Sequence, residues 1–348
     1  MAEFKTPSKR YKSRLQDNLE IQTPIKIPAS PFLEQIGYGT GVSVFSLERS
    51  PKVGFARSPW AIKKRNHNVK HAEEYNERIR FEAEVLRKLN HPNIVGFRAL
   101  TEVSNDGQID PCLAMEKLDA SLSDKIEEKL CSDDDPFPAK VILKITYEIM
   151  KGLKYLHHTA YILHGDIKSH NVLVSEDYNR VKLCDFGVSV PLTKSLKMDI
   201  SKGDFAYIGT ECWSAPEIIH GDGPVTNAAD IWASGLVMWE MIALSTPHLE
   251  TVEKDASSFD DSFTETDMQD VTRNRRHDES MNDSVVFLEE IIHAKYGTRP
   301  PLPAIQLGKE YDSVLELFFV CTTMDYKHRP SAIGLVRYFE NYVYKNKS

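Results

Sequence analysis

The residues that could do chemistry cluster in two short stretches. In Leu163-His164-Gly165-Asp166-Ile167-Lys168-Ser169-His170-Asn171 an aspartate and an asparagine stand five residues apart on one polar loop, and Asp185-Phe186-Gly187 opens a turn behind the run Val181-Lys182-Leu183-Cys184. Carboxylate and amide oxygens are hard donors suited to divalent cations. One loop carrying Asp166 and Asn171, with Asp185 opening a turn behind a strand, can therefore set a base and two metal ligands around one triphosphate.

Two features nearer the N-terminus fit that chemistry. Gly37-Tyr38-Gly39-Thr40-Gly41 lies between two β-like runs; such glycines can bring backbone N–H groups close to a phosphate, but they also serve tight hairpins. Trp60-Ala61-Ile62-Lys63 then closes an apolar strand with a cation that needs a partner, and Glu82 on the following helical stretch can supply it. The plainer readings are a solubilising lysine on an edge strand, and a glutamate on a solvated helix face that also carries Glu77 and Glu84. Only the company of the other motifs weighs against them.

That company continues with Gly209-Thr210, Ala215-Pro216-Glu217, Asp230-Ile231-Trp232 and His328-Arg329-Pro330-Ser331. The ordered set resembles the eukaryotic protein kinases, from about Phe32 to Tyr344. The resemblance implies an α+β, bilobal fold, with a small β-rich lobe and a larger helical one, and ATP and Mg2+ as cofactors. It implies that Ile36, Gly37, Tyr38, Gly39, Thr40, Gly41, Val42, Val44 and Ala61 enclose ATP, and that Lys63, paired with Glu82, holds its α and β phosphates. Met115 resembles the gatekeeper behind the adenine, with Glu116 to Leu118 as the hinge. Asp166 is implied as the base for the substrate hydroxyl, Lys168 as neutralising the γ-phosphate, and Asp185 and Asn171 as the metal ligands. Leu86, Phe97, His164 and Phe186 match a stack linking the lobes, and Arg329 an ion-pair partner for Glu217. Two positions depart from the pattern. The third glycine of G-x-G-x-x-G falls at Val42, with Gly41 one place early, and Gly165 stands where the family has an arginine that grips an activation-loop phosphate.

Elements must hold these residues in place. Residues 1–31 are polar and basic, punctuated by Thr6-Pro7, Thr23-Pro24 and Ser30-Pro31, and read as a mobile regulatory tail. β-like runs over Phe32–Ile36, Val42–Leu47, Trp60–Lys63, Val95–Leu100 and Cys112–Met115, with one helix at Tyr75–Leu89, predict the first lobe, about residues 32–117. Helical patterns at Ala139–His157, Ala228–Leu244, Ser313–Thr322 and Ile333–Tyr344 predict the second, about 118–344. Residues 249–283, rich in Asp, Glu, Ser and Thr, read as a flexible insert, and 345–348 as a short tail.

The 348 residues carry 43 Lys and Arg against 51 Asp and Glu, a formal charge of −8, which disfavours a nucleic-acid binder relying on overall charge. No apolar run approaches the ~18 residues of a membrane span. Five scattered cysteines without a C-x-x-C pair fit a reducing compartment, cytoplasm or nucleus, and neither a disulfide framework nor a zinc site.

Lys168 and Thr210 match what Ser/Thr kinases carry, predicting a protein substrate phosphorylated on serine or threonine. Activation-loop hydroxyls that could be modified are Thr193, Ser195, Ser201 and Tyr207. Within the family, Phe4-Lys5-Thr6-Pro7-Ser8-Lys9, the Gly-Tyr-Gly-Thr-Gly-Val segment, the His-Gly-Asp-Ile-Lys-Ser loop and Gly297-Thr298-Arg299-Pro300-Pro301 look like a mitosis-linked branch grouped with the dual-specificity MAP kinase kinases. That branch implies tyrosine as a further acceptor, a MAP kinase as substrate, and phosphorylation by a cyclin-dependent kinase, whose Thr-Pro-x-Lys pattern recurs at Thr6 and Thr23. The ending Lys345-Asn346-Lys347-Ser348 lacks the apolar last side chain a PDZ groove takes, so PDZ binding is not expected through it. The rival reading, motivated by Val42, Gly165, the tail and the insert, is a pseudokinase scaffold that binds nucleotide or partners without phosphotransfer.

Overall fold

The computed structural model describes residues 33–39, 41–48, 59–66, 69, 72–105, 108–132, 135–249 and 294–343. Thr6, Thr23, Thr40, nearly all of the insert and the C-terminal tail lie outside them, as does the side chain of Tyr38.

Five strands form an antiparallel sheet ordered β1-β2-β3-β5-β4: β1 (Glu34–Gly39), β2 (Val42–Leu47), β3 (Trp60–Arg65), β4 (Phe97–Asn105) and β5 (Gln108–Glu116). β1 runs on through the glycines beyond the predicted run, because Gly37, Tyr38 and Gly39 pair with Val44, Ser43 and Val42 and the apolar partner strand supplies what glycine propensity lacks. β4 begins at Phe97 instead of Val95. The Val95 N–H is given to Leu183 O (3.0 Å), and Leu183 N in turn to Asn93 O (2.9 Å), so this stretch joins the sheet to the helical part of the molecule. β3 is the middle strand, which removes the edge-strand reading of Lys63. Helix α1 (Ala72–Lys88) buries Tyr75, Ile79, Glu82, Ala83 and Leu86 along one face, with Glu73 and Glu74 in its first turn and Arg87 and Lys88 in its last, the polarity the helix dipole favours.

The second part is helical: α2 (Leu122–Ser132), α3 (Ala139–Tyr155), α4 (Pro216–Ile219), α5 (Ala228–Ala243), α6 (Asp312–Cys321) and α7 (Ala332–Tyr338). Short strands lie just before α2 and between α3 and α4. β6 (Ala120–Ser121), β8 (Val172–Val174) and β9 (Val181–Leu183) form one small sheet, and β7 (Ile162–Leu163) pairs with β10 (Val190–Pro191). The division into a β-rich and a helix-rich part is the bilobal α+β architecture expected. Helix ends differ from prediction: α3 and α7 each widen into a π turn, Leu156–Ala160 and Phe339–Val343, and the first closes at Tyr161 in the left-handed conformation (φ 55°). α5 stops one residue early for the same reason, Leu244 taking φ 51°.

α5 is buried on every side from Ala228 to Ile242, as a helix apolar all round must be, and is the axis of the helical part. One core runs through both parts, from Ile79, Leu86 and Met115 to Ile149, Leu183, Phe186, Trp232 and Leu236. Beside α5, Arg329 and Glu217 form a buried bidentate pair (both contacts 2.7 Å), and the other guanidinium hydrogens go to the Thr323, Ala228 and Met324 carbonyls. The guanidinium lies 4.9 Å from the Trp232 ring centre. All five donors are used, the condition under which a buried guanidinium is tolerated.

Candidate functional site

Lys63 is positioned by the middle strand and Glu82 by the inner face of α1. Lys63 Nζ lies 2.8 Å from Glu82 Oε2 and 2.8 Å from Asp185 Oδ1, so one ammonium joins the sheet, α1 and the turn after β9. Burial works against the Lys63 charge, but the two carboxylates outweigh it and push its pKa up. Burial also opposes ionisation of Asp185, yet the charge and hydrogen bond of Lys63, aided by Lys168 and His164, hold its carboxyl at about 2. Asp185 has φ 63°, a left-handed backbone unusual outside glycine and held by its surroundings: Gly187 N lies 3.4 Å from its Oδ1, and Phe186, fully buried, offers its N–H to Glu82 Oε1 at 3.4 Å. The Phe186 ring packs 4.8 Å from that of His164, and Leu86 and Phe97 belong to the same core cluster as Phe186.

The second half of the site is the loop after β7. Asp166 Oδ1 accepts from the Thr210 hydroxyl (2.7 Å) and N–H (3.1 Å), and Oδ2 from Asn171 Nδ2 (2.9 Å), with Lys168 Nζ at 3.1 Å. Lys168 also donates to Thr210 Oγ1 at 2.7 Å. Asn171 gives its amide hydrogens to the Asp166 carbonyl (2.8 Å) and carboxylate, which fixes Oδ1 as its acceptor end. Asn171, through that Oδ1, and Asp185, through its carboxylate, are the residues that would hold a cation here. Two hard oxygen donors from the chain, the rest from phosphate and water, is the ligand supply magnesium commonly accepts.

The residues predicted to enclose the nucleotide lie on the strands of the sheet and just past β5. Ala61 stands opposite Met115 in the β3–β5 register and Val44 opposite Lys63 in β2–β3; Ala61, Met115 and Leu118 are buried and Ile36 is exposed. Glu116 gives its backbone N–H to Gly96 O (2.8 Å). Its side chain bonds Arg180 (2.5 Å), Lys182 (3.1 Å) and Gly96 N (3.1 Å); burial pushes that carboxyl up, but these partners hold it below the usual range.

Several positioning roles escaped the sequence reading, which named Asp230 only as part of a motif. Asp230, in the first turn of α5, accepts from the backbone of His164 (2.9 Å) and Gly165 (2.9 Å), and His157 Nε2 lies 2.8 Å from it. Glu240, three turns along, accepts from Ser169 Oγ (2.5 Å), Ser169 N (3.2 Å) and Trp213 Nε1 (2.9 Å), while burial pushes its carboxyl up to about 7. Both are acids inside an otherwise apolar helix, and that contrast was the available signal. Tyr207, read as a loop hydroxyl, needs correcting. Its ring packs onto the core beside Gly165 and Gly209, and burial pushes its phenol up. Thr193, Ser195 and Ser201 are in the loop as expected, the first two sharing a hydrogen bond (2.9 Å) and Ser201 Oγ donating to Asp199 (2.6 Å). Gly165 has φ 78°.

Comparison with known proteins agrees with this geometry. The profile of the protein kinase domain family matches residues 31–338. The chain is 43% identical over 344 residues to human lymphokine-activated killer T-cell-originated protein kinase, covering 98% of each. Further away, it is 32% identical over 232 residues to the probable serine/threonine-protein kinase drkC of Dictyostelium discoideum, covering 65% of this chain and 28% of that one. It is 34% identical over 185 residues to the mitogen-activated protein kinase kinase kinase zak-1 of Caenorhabditis elegans, covering 51% and 23%.

Proposed function

The chain belongs to the protein kinase family, and from that premise we propose that it transfers the γ-phosphate of Mg-ATP to serine and threonine hydroxyls of protein substrates. The observation that carries this reading is Lys63 bridging Glu82 and Asp185 at 2.8 Å each, with Asp166 hydrogen-bonded in the facing loop. A scaffold without phosphotransfer has no need of these groups together.

Asp166 takes the proton of the acceptor hydroxyl. Its two oxygens, bonded by Thr210, Asn171 and Lys168, are already oriented, so little reorganisation is left to the reaction. Lys168 moves its charge from Thr210 and Asp166 to the γ-phosphate, and Lys63 holds the α and β phosphates while Glu82 keeps it in place. Asp185 and Asn171 would hold Mg2+, which neutralises phosphate charge when bound. The contact of Lys168 with Thr210 supports Ser/Thr acceptors. The resemblance to a mitosis-linked branch grouped with the MAP kinase kinases supports a MAP kinase as substrate, tyrosine as a further acceptor and a role in mitotic signalling. Thr6 and Thr23 would be the sites at which a cyclin-dependent kinase acts on a regulatory segment preceding a catalytic domain of residues 32–344. Cytoplasm or nucleus suits five free thiols; among the described residues no helix is long and apolar enough to cross a membrane.

The test is phosphotransfer from Mg-ATP to a panel of Ser, Thr and Tyr peptides and to a MAP kinase, wild type against Asp185→Asn. Transfer by wild type, falling at least about a hundredfold in the variant, is expected. A wild type that binds ATP and transfers nothing would move the assignment to the scaffold.

A further inference from the structure

The glycine that stands one place early has a physical task. Gly41 takes φ 76°, and its carbonyl accepts from Asn66 N at 3.0 Å, just past the end of β3. A Cβ built on it would lie 2.4, 2.5 and 2.7 Å from Cζ, Cε1 and Cε2 of Tyr75, distances no real Cβ contact allows. The backbone at Gly41 is thus seated on the phenol end of Tyr75, which is buried in the first turn of α1.

Tyr75 is held firmly. The next residue, Asn76, is fully buried and donates to Asp110 Oδ1 (3.2 Å), and Asp110 accepts a two-pronged pair from Arg65 at the end of β3 (2.8 and 2.9 Å). Tyr75 also lies seven residues before Glu82 on the buried face of α1, the spacing that puts two side chains on one stripe two turns apart. The ring that seats the turn and the carboxylate that holds Lys63 therefore ride on one rigid helix.

We infer that Tyr75 is a positioning residue for the nucleotide: by seating Gly41 it fixes the entry to β2, and with it the glycine-containing segment, relative to the helix that carries Glu82. This rests on the nucleotide-binding reading of the site. It also gives the early glycine a reason: an L-residue at position 41 meets both the left-handed backbone and the ring.

The test is a double-mutant cycle of Gly41→Ala and Tyr75→Ala in the full chain, read as ATP affinity by calorimetry and as KM for ATP against kcat. Each single change is expected to weaken ATP binding by roughly three- to tenfold, with a smaller effect on kcat. The left-handed backbone penalises alanine at 41 in both backgrounds and cancels. Once the ring is gone the added methyl has room, so the double variant should bind ATP at least about threefold better than the product of the single effects. Should Tyr75→Ala not fold, Tyr75→Leu, too short to reach the Gly41 Cβ, completes the cycle. Independent effects, or losses confined to kcat, would overturn the inference, as would a wild type that binds no ATP. A wild type that binds ATP without transferring phosphate would sink the kinase reading alone, and the calorimetric cycle would still decide the role of Tyr75.

Discussion

Glu240 is a buried carboxylate served by three hydrogen-bond donors, Ser169 twice and Trp213 once, and its pKa is raised from 4.5 to about 7, first by burial, with the hydrogen bonds pulling the other way. Between those values the folded state binds the proton that the unfolded chain has released. Stability therefore falls as pH rises from about 4.5 to about 7 and levels off above, by about 3 kcal/mol from this group. Glutamine fits the same place, its carbonyl accepting from Ser169 N and Trp213 Nε1 and its amide donating to Ser169 Oγ. Urea unfolding of Glu240→Gln at pH 5, 6, 7 and 8 is expected to lack this share of the slope, so the variant gains on wild type as pH rises. Parallel curves would mean that Glu240 titrates as an ordinary glutamate. Lys63 and Asp185 contrast with it, each burial penalty being exceeded by an opposite charge.

Helix α5 acts as an element through close approach as well as through apolar area. A Cβ on Gly235 would lie 2.6 Å from Thr322 Cγ2 and 3.1 Å from Cys321 Cβ at the end of α6. Thr322 cannot swing its methyl aside cheaply, because its hydroxyl donates to Phe318 O (2.7 Å) and accepts from Arg299 Nε (2.7 Å). Alanine is the better helix former by about 1 kcal/mol, while overpacking a tight crossing costs about 1–3 kcal/mol. Gly235→Ala is thus expected to destabilise by about 1 kcal/mol, seen as a lowered urea midpoint with unchanged m. An unchanged or raised midpoint would mean that the two helices can part without loss. The same helix supplies Asp230 and Glu240 to the loop carrying Asp166, so its placement is also the placement of the base.

At the scale of the molecule, the sheet with α1 and the helical part meet at Lys63–Asp185 and at the hydrogen bonds from residues 93–95 to Leu183. A ligand that bridges both parts binds the folded chain alone and stabilises it by about 2.7 kcal/mol at a hundred times its dissociation constant. For a chain of this size that is a rise in Tm of roughly 4 °C. Mg-ATP should produce this rise in wild type and in Asp166→Asn, which keeps the nucleotide site and loses the base. It should produce little in Lys63→Met, compared with that variant's own nucleotide-free Tm. Equal rises in all three would remove Lys63 from nucleotide binding.

The sequence by itself determined the chemical groups and their order: Asp166, Asn171 and Asp185 are legible as polar residues at a telling spacing, and Lys63 and Glu82 through the company of those motifs. The β-rich then helical order was legible too, since period 2 and period 3.6 are local properties of the chain. Tertiary structure decided the rest. Whether Val95 gives its N–H to β5 or to Leu183, and where α3 gives way to a π turn, depends on partners distant in the chain. The work of Asp230 and Glu240 is set by backbone N–H groups and an indole that the fold brings to them. Gly41 departs from the family spacing for a reason no spacing contains, because the ring it rests on belongs to another element and excluded volume acts only between atoms that folding has brought together.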